Sequence, residues 1–101
     1  MGALHALTVP KLGLTMKEGA VAAWHIPLGG KVTAGEPVAD IETSKITASH
    51  ESPVSGVLRR QVANVGEMRP VGALIGVVAE GETSEAEIDE FIARFRAEEK
   101  V

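Results

Sequence analysis

The glycines of this 101-residue chain fall into register with one another. Shifted by 37 residues, Gly19 lands on Gly56, Gly29 on Gly66 and Gly35 on Gly72, while Leu28 meets Val65, Ala34 meets Val71 and Val38 meets Ile75. Glycines recur in this way where the backbone turns through positive φ or passes close to a neighbouring segment. Chance coincidence among 11 glycines is the alternative. Against it stand the apolar neighbours that travel with each glycine. Two copies of one motif imply two matching sheets.

Between the glycines lie short runs of strand character, at about residues 6–9, 20–26, 38–42, 46–50, 57–63 and 74–79. Many short strands separated by Gly and Pro turns indicate an all-β sandwich or barrel. Alternation is clearest in Ala20, Ala22, Trp24 and Ile26, which would share one face. Arg59 and Arg60 side by side mean that at least one points outward, and Ala22-Ala23 gives no facing signal. Only one Trp and two Phe are present, so the interior must be built from Val, Ile, Leu and Ala, with Trp24 as a core plug. The expected fold is a flattened β-barrel or sandwich of two similar antiparallel sheets with quasi-two-fold symmetry, plus a C-terminal helix.

That helix has its own signal. Ser84 and Glu87 have capping-box spacing, and Ile88, Phe91, Ile92 and Phe95 fall at i, i+3, i+4 and i+7 over about residues 85–98. The stripe either packs on the barrel or frays as the start of a linker. The functional alternative is that it docks on another domain or a second copy. The chain thus divides into a β domain over 1–81 and, over 82–101, an amphipathic helix or the beginning of a linker to a catalytic domain not contained here.

Composition narrows the function. A formal charge of −4, with no cluster of cations longer than Arg59-Arg60, argues against nucleic acid as partner. With no cysteine there is no disulfide, cysteine nucleophile or thiolate metal site. No apolar run approaches the roughly 20 residues of a membrane helix, the N-terminus lacks a secretory pattern, and Ala6 stands where a myristoylation motif needs Ser or Thr. A cytoplasmic protein that does not engage membranes is expected. His5, His25 and His50 lack metal-binding spacing, and Ser55 has no base and carboxylate partner in sequence, so neither a metal site nor catalytic residues are expected. Asp40 and Glu42, two apart on one strand, read as solubilising charges.

The strand-like runs 38–42 and 46–50 would pair as a hairpin with Ser44 and Lys45 as the central residues of a two-residue turn. A turn lysine is ordinarily a solvated charge. Its spacing sets this one apart: Gly29 lies sixteen residues before it and Gly56 eleven after. Together with Val9-Pro10-Lys11-Leu12-Gly13-Leu14-Thr15-Met16-Lys17-Glu18-Gly19, Val21-Ala22-Ala23-Trp24, Ile41-Glu42-Thr43-Ser44-Lys45, Pro53-Val54-Ser55-Gly56 and Val71-Gly72, that spacing resembles the lipoyl domains of 2-oxo acid dehydrogenase complexes over about residues 7–78. The stretch from Ser55 to Ala63, and Glu80-Gly81-Glu82 with Ser84 to Asp89, is most similar to the dihydrolipoyl acetyltransferases of acetoin dehydrogenase.

The resemblance implies that Lys45 carries lipoate in amide linkage, with Glu42, Thr43, Ser44, Ile46, Gly29 and Gly56 shaping or marking the hairpin for recognition. It implies a lipoate ligase or lipoyl transferase, a thiamine-diphosphate dehydrogenase component, an acyltransferase domain using coenzyme A and a dihydrolipoyl dehydrogenase as partners, with the domain itself a carrier and not an enzyme. Three positions depart from the family pattern. Ser44 stands where Asp is usual, Ile46 where Ala is usual, and Gly29-Gly30 where Gly-Asp is common. Biotin carrier domains share the fold, but their lysine is flanked by Met, whereas Met1, Met16 and Met68 are remote from Lys45. A biotin carrier, or a structural hairpin module with no modified lysine, is the alternative.

Overall fold

The computed structural model describes residues 3–11 and 16–99. Leu12, Gly13, Leu14 and Thr15 of the family motif, the Met1-Gly2 start and the last two residues of the 82–101 segment lie outside the described residues. Eight strands and one helix follow in order: β1 (Ala3–Thr8), β2 (Glu18–Trp24), β3 (Lys31–Val32), β4 (Pro37–Glu42), β5 (Thr47–Glu51), β6 (Gly56–Gln61), β7 (Met68–Pro70), β8 (Leu74–Glu80) and α1 (Glu85–Glu99). They form two four-stranded antiparallel sheets, ordered β1-β8-β6-β3 and β5-β4-β2-β7. The architecture is a sandwich and not a closed barrel.

The 37-residue shift carries β2, β3 and β4 onto β6, β7 and β8. β3 and β7 escape sequence analysis because two and three residues are too few to show alternation. Each joins the sheet of the opposite half, β3 against β6 and β7 against β2, so the halves interlock. The equivalence extends to the backbone. Gly29 and Gly66 adopt φ of 82° and 87°. Their amides donate to equivalent carbonyls, Leu58 at 2.7 Å and Val21 at 2.9 Å. Only glycine takes this left-handed region without strain.

A paired irregularity corrects the expected facing of β2. The β2–β4 register slips between Val21 and Ala23, and the β6–β8 register slips between Leu58 and Arg60, the equivalent place. An extra residue in a strand inverts the alternation beyond it. Val21 and Trp24 therefore face the core, paired with Ile41 and Ala39, while Ala20 pairs with exposed Glu42 on the outer face. The doublets Ala22-Ala23 and Arg59-Arg60, which alternation could not assign, are these two bulges.

Between the sheets lie Leu7, Val9, Val21, Val32, Val38, Ile41, Leu58, Ile75 and Val78, each at most 2% exposed. Trp24 packs against them, its Nε1 donating to the Ala63 carbonyl at 3.4 Å. A second cluster covers the outside of the first sheet, where Ile88 of α1, fully buried, meets Leu74 and Val77, flanked by Phe91, Ile92 and Phe95. The amphipathic stripe thus packs on the β-sheet. Ser84 Oγ accepts the Glu87 amide at 3.1 Å, starting the helix as the capping spacing predicts. Arg59 reaches Glu85 at 3.1 Å, and Arg60 binds the other oxygen of the same carboxylate. No described helix is long and apolar enough to cross a membrane.

Candidate functional site

Strand pairing fixes where the lysine hairpin stands. Ala20 pairs with Glu42 on one side and Met68 on the other, and Glu18 pairs with Pro70, which leads through Val71-Gly72 into the start of β8. The β4–β5 hairpin therefore lies at the end of the sandwich where β8 begins. At roughly 3.3 Å per residue, β8 runs about 20 Å to its far end, from which α1 departs. α1 starts from that far end and lies over the outer face of the first sheet, with Ile88 on Leu74 and Val77, whereas Lys45 belongs to the hairpin of the second sheet.

The register from Pro37↔Glu51 to Glu42↔Thr47 leaves Thr43, Ser44, Lys45 and Ile46 as the tip. Ser44, Lys45 and Ile46 are exposed and Thr43 is half-buried. The Thr43 amide donates to the Ile46 carbonyl at 2.7 Å, closing the loop around Ser44 and Lys45 as the two central residues. No residue of the tip has positive φ. The turn is therefore not one of the primed types that ordinarily close two-residue hairpins, which need φ > 0 and favour Gly or Asn. The side chain of Thr43 supplies other ties: Oγ1 accepts the amides of Lys45 at 3.2 Å and Ile46 at 3.0 Å, and donates to the Ile46 carbonyl at 3.1 Å. Such a threonine turn holds backbone that a bare Ser-Lys pair would leave loose.

Of the residues singled out in the sequence, Glu42, Thr43, Ser44, Lys45 and Ile46 come together here. Gly29 and Gly56 do not. Gly56 opens β6 beside the end of β8, where Val57 pairs with Ala79, and Gly29 bonds to Leu58 at that same end. Their parts are backbone ones. A Cβ on Gly56 would stand 2.4 Å from the Ala79 carbonyl oxygen, so a side chain there would push β6 off β8. What sequence spacing did not reveal is the neighbourhood of the tip, where half-exposed Met68 lies in the same row of paired residues as Glu42.

The remaining polar groups are structural. Asp40 Oδ1 accepts from His25 Nε2 at 2.8 Å and from Ser49 Oγ at 3.3 Å. The His25 bond is the main cause that holds the Asp40 carboxyl below its usual range. Burial pushes the His50 imidazole down. Ser55 Oγ accepts the Ala34 amide at 2.9 Å, a loop tie and not a nucleophile's hydrogen bond. Among the described residues no group of three His, Cys, Asp or Glu side chains is arranged to hold a metal. What the hairpin offers chemically is one exposed primary amine on a tied turn, to which a carboxylic acid can be joined as an amide.

The family model described as "Biotin-requiring enzyme" matches residues 5–78. The chain is 54% identical, over 97% of its length, to the dihydrolipoyllysine-residue acetyltransferase component of the acetoin cleaving system of Pseudomonas putida, and spans 26% of that protein. To the corresponding component from Cupriavidus necator it is 47% identical over 88% of its length and 24% of the relative's. The chain thus spans about a quarter of the curated relatives it matches. Among solved structures, the lipoyl domain of the 2-oxoglutarate dehydrogenase complex from Azotobacter vinelandii superimposes with a TM-score of 0.62 at 31% identity, covering 76% of this chain and 98% of that domain. With its interlocked sheets and a lone exposed lysine at the hairpin tip, the chain belongs to the biotin/lipoyl-attachment family and is a lipoyl domain, a carrier module and not a catalytic one.

Proposed function

We propose that Lys45 carries lipoate through an amide on Nζ and that the domain moves acyl groups and reducing equivalents between the active sites of an acetoin dehydrogenase complex. The observation that carries this reading is the position of Lys45: an exposed amine at the centre of a closed, tied turn, on the sheet that the helix does not cover. The donor suits the group, since the amine is open to a ligase and its neighbours Ser44 and Ile46 are exposed with it. When bound, lipoate would supply a dithiolane whose disulfide opens by reductive acylation and whose dithiol, freed once the acyl group has passed to an acceptor thiol, is oxidised back to the disulfide. The chain's own work is positional. β4 and β5 hold the turn rigid, Thr43 ties it, and Glu42, exposed at the end of β4, gives a modifying or acylating enzyme a charge to recognise.

The partners follow from that role: a lipoate ligase or lipoyl transferase, a thiamine-diphosphate component that loads the arm, an acyltransferase domain that unloads it to coenzyme A, and a dihydrolipoyl dehydrogenase. Tethering converts their encounters into intramolecular ones at an effective concentration of order millimolar. We read the domain as cytoplasmic, a location compatible with ATP-dependent ligation and coenzyme A. We place the carrier unit at residues 1–81, with the docked helix α1 (Glu85–Glu99) in the segment 82–101. Acetoin is assigned over other substrates on the likeness to the two acetoin-system relatives. Reductive acylation tests it. Domain loaded with lipoate, then given acetoin and the thiamine-diphosphate component of an acetoin-cleaving system, should gain one acetyl group, and Lys45→Arg none. Faster loading by the pyruvate or 2-oxoglutarate component would reassign the complex.

A further inference from the structure

The turn that presents Lys45 is held by one hydroxyl, and that hydroxyl is fully used. A threonine side chain has one O–H to donate and two lone pairs to accept with. Thr43 Oγ1 donates to the Ile46 carbonyl at 3.1 Å and accepts the Ile46 amide at 3.0 Å and the Lys45 amide at 3.2 Å. The Ile46 amide is the donor that in a hydrogen-bonded β-turn bonds to the carbonyl three residues back. Here the side chain of that residue takes it. Ser44 and Lys45 keep negative φ, and a turn of that kind splays the two strands it joins. The hydroxyl spans the gap that the splayed backbone leaves. Its β-branch restricts χ1 and holds the oxygen aimed at the tip.

We propose that Thr43 is a positioning residue for modification of Lys45, fixing the backbone of the lysine in the single conformation that the ligase binds. The inference rests on the reading that Lys45 accepts lipoate. Thr43 touches neither lipoate nor the amine. It acts through the amide of Lys45, and so it changes how much of the population is ready to bind, not the reactivity of Nζ. An enzyme that binds one conformer sees an apparent affinity reduced by the fraction in that conformer.

The test compares wild type, Thr43→Val and Thr43→Ser with lipoate, ATP and a lipoate ligase, reading KM for the domain and kcat separately. Valine keeps the shape and branching of threonine and removes all three hydrogen bonds. A tip populated in the binding conformation only about one-tenth of the time raises KM about tenfold with kcat unchanged. Thr43→Ser, which keeps the hydroxyl, should return KM to within about threefold of wild type, the remainder reflecting its freer χ1. Acylation of Lys45 by a small N-hydroxysuccinimide ester should proceed at the same rate in all three proteins, because the amine stays exposed. Wild-type KM in Thr43→Val overturns the inference. So does a serine variant no better than valine, or ester labelling that falls in step with lipoylation. A wild type that no ligase lipoylates overturns the carrier reading itself, and this inference with it, whereas equal modification of wild type and Thr43→Val leaves the carrier reading standing alone.

Discussion

Burial holds the His50 imidazole below its ordinary value, so the folded chain binds that proton less readily than the unfolded one. Stability from this group is fully present above the unfolded value of about 6.5 and is lost as pH falls through the lower folded value. Melting temperatures from pH 7.5 to 5 should decline in the wild type and flatten in His50→Gln. Asp40 acts in a separate window. Its carboxyl is held down chiefly by the bond from His25, so its contribution is present above the ordinary Asp value of about 4 and disappears as pH falls further. Asp40→Asn should remove that part of the acid limb and leave the His50 part in place. At this scale the sequence was legible where a spacing carried the message, as with Lys45 and its glycines. It was not legible where a hydrogen bond did. The absence of Gly or Asn at Ser44-Lys45 disfavours a primed turn, but nothing in the pattern Glu42-Thr43-Ser44-Lys45 says that Thr43 would fold its hydroxyl over the tip, because that hydroxyl had several backbone groups within reach and the folded hairpin selects among them.

Among the elements, the two equivalent strands β4 and β8 differ in one respect that explains the helix. Pro37 and Asp40 of β4 correspond to Leu74 and Val77 of β8, and His25 corresponds to Val62. In one sheet the outer face holds the His25–Asp40 bond. In the other, Val62, Leu74 and Val77 lie under Ile88. A strand covered on both faces reads as a nearly continuous apolar run, and Leu74 to Ala79 is one, every residue buried. Comparison of the two halves therefore held the signal that the stripe of α1 packs on the chain's own sheet. Arg59 and Arg60, re-aimed by the bulge, fasten its first turn through Glu85. Ile88→Ala should cost about 2–5 kcal/mol in urea unfolding, the range for a fully buried large aliphatic side chain. A frayed linker would lose less than about 0.5 kcal/mol. The repeat makes its own prediction: Gly29→Ala and Gly66→Ala should each destabilise by about 1–2 kcal/mol, and by matching amounts in thermal melts, because both force alanine into the left-handed region.

Over the whole molecule, one end displays Lys45 on the β4–β5 hairpin of one sheet, and α1 covers the outer face of the other sheet. Attachment of lipoate to Nζ removes a cation, taking the formal charge from −4 to −4 − 1 = −5. Quasi-two-fold symmetry, two matching sheets and a terminal helix were all readable from glycine register and apolar period. The openness of the sandwich and the two short crossed edge strands were not, since both follow from pairing between halves. The central claim is that Lys45, and no other group, bears the arm. Intact mass after incubation with lipoate, ATP and a lipoate ligase, run beside Lys45→Arg and a parallel biotin-ligase reaction, tests it most directly. The account predicts one lipoyl addition on the wild type, none on Lys45→Arg with its cooperative unfolding intact, and no biotin on either. Addition that persists in Lys45→Arg, biotin in place of lipoate, or an unmodified wild type would contradict it.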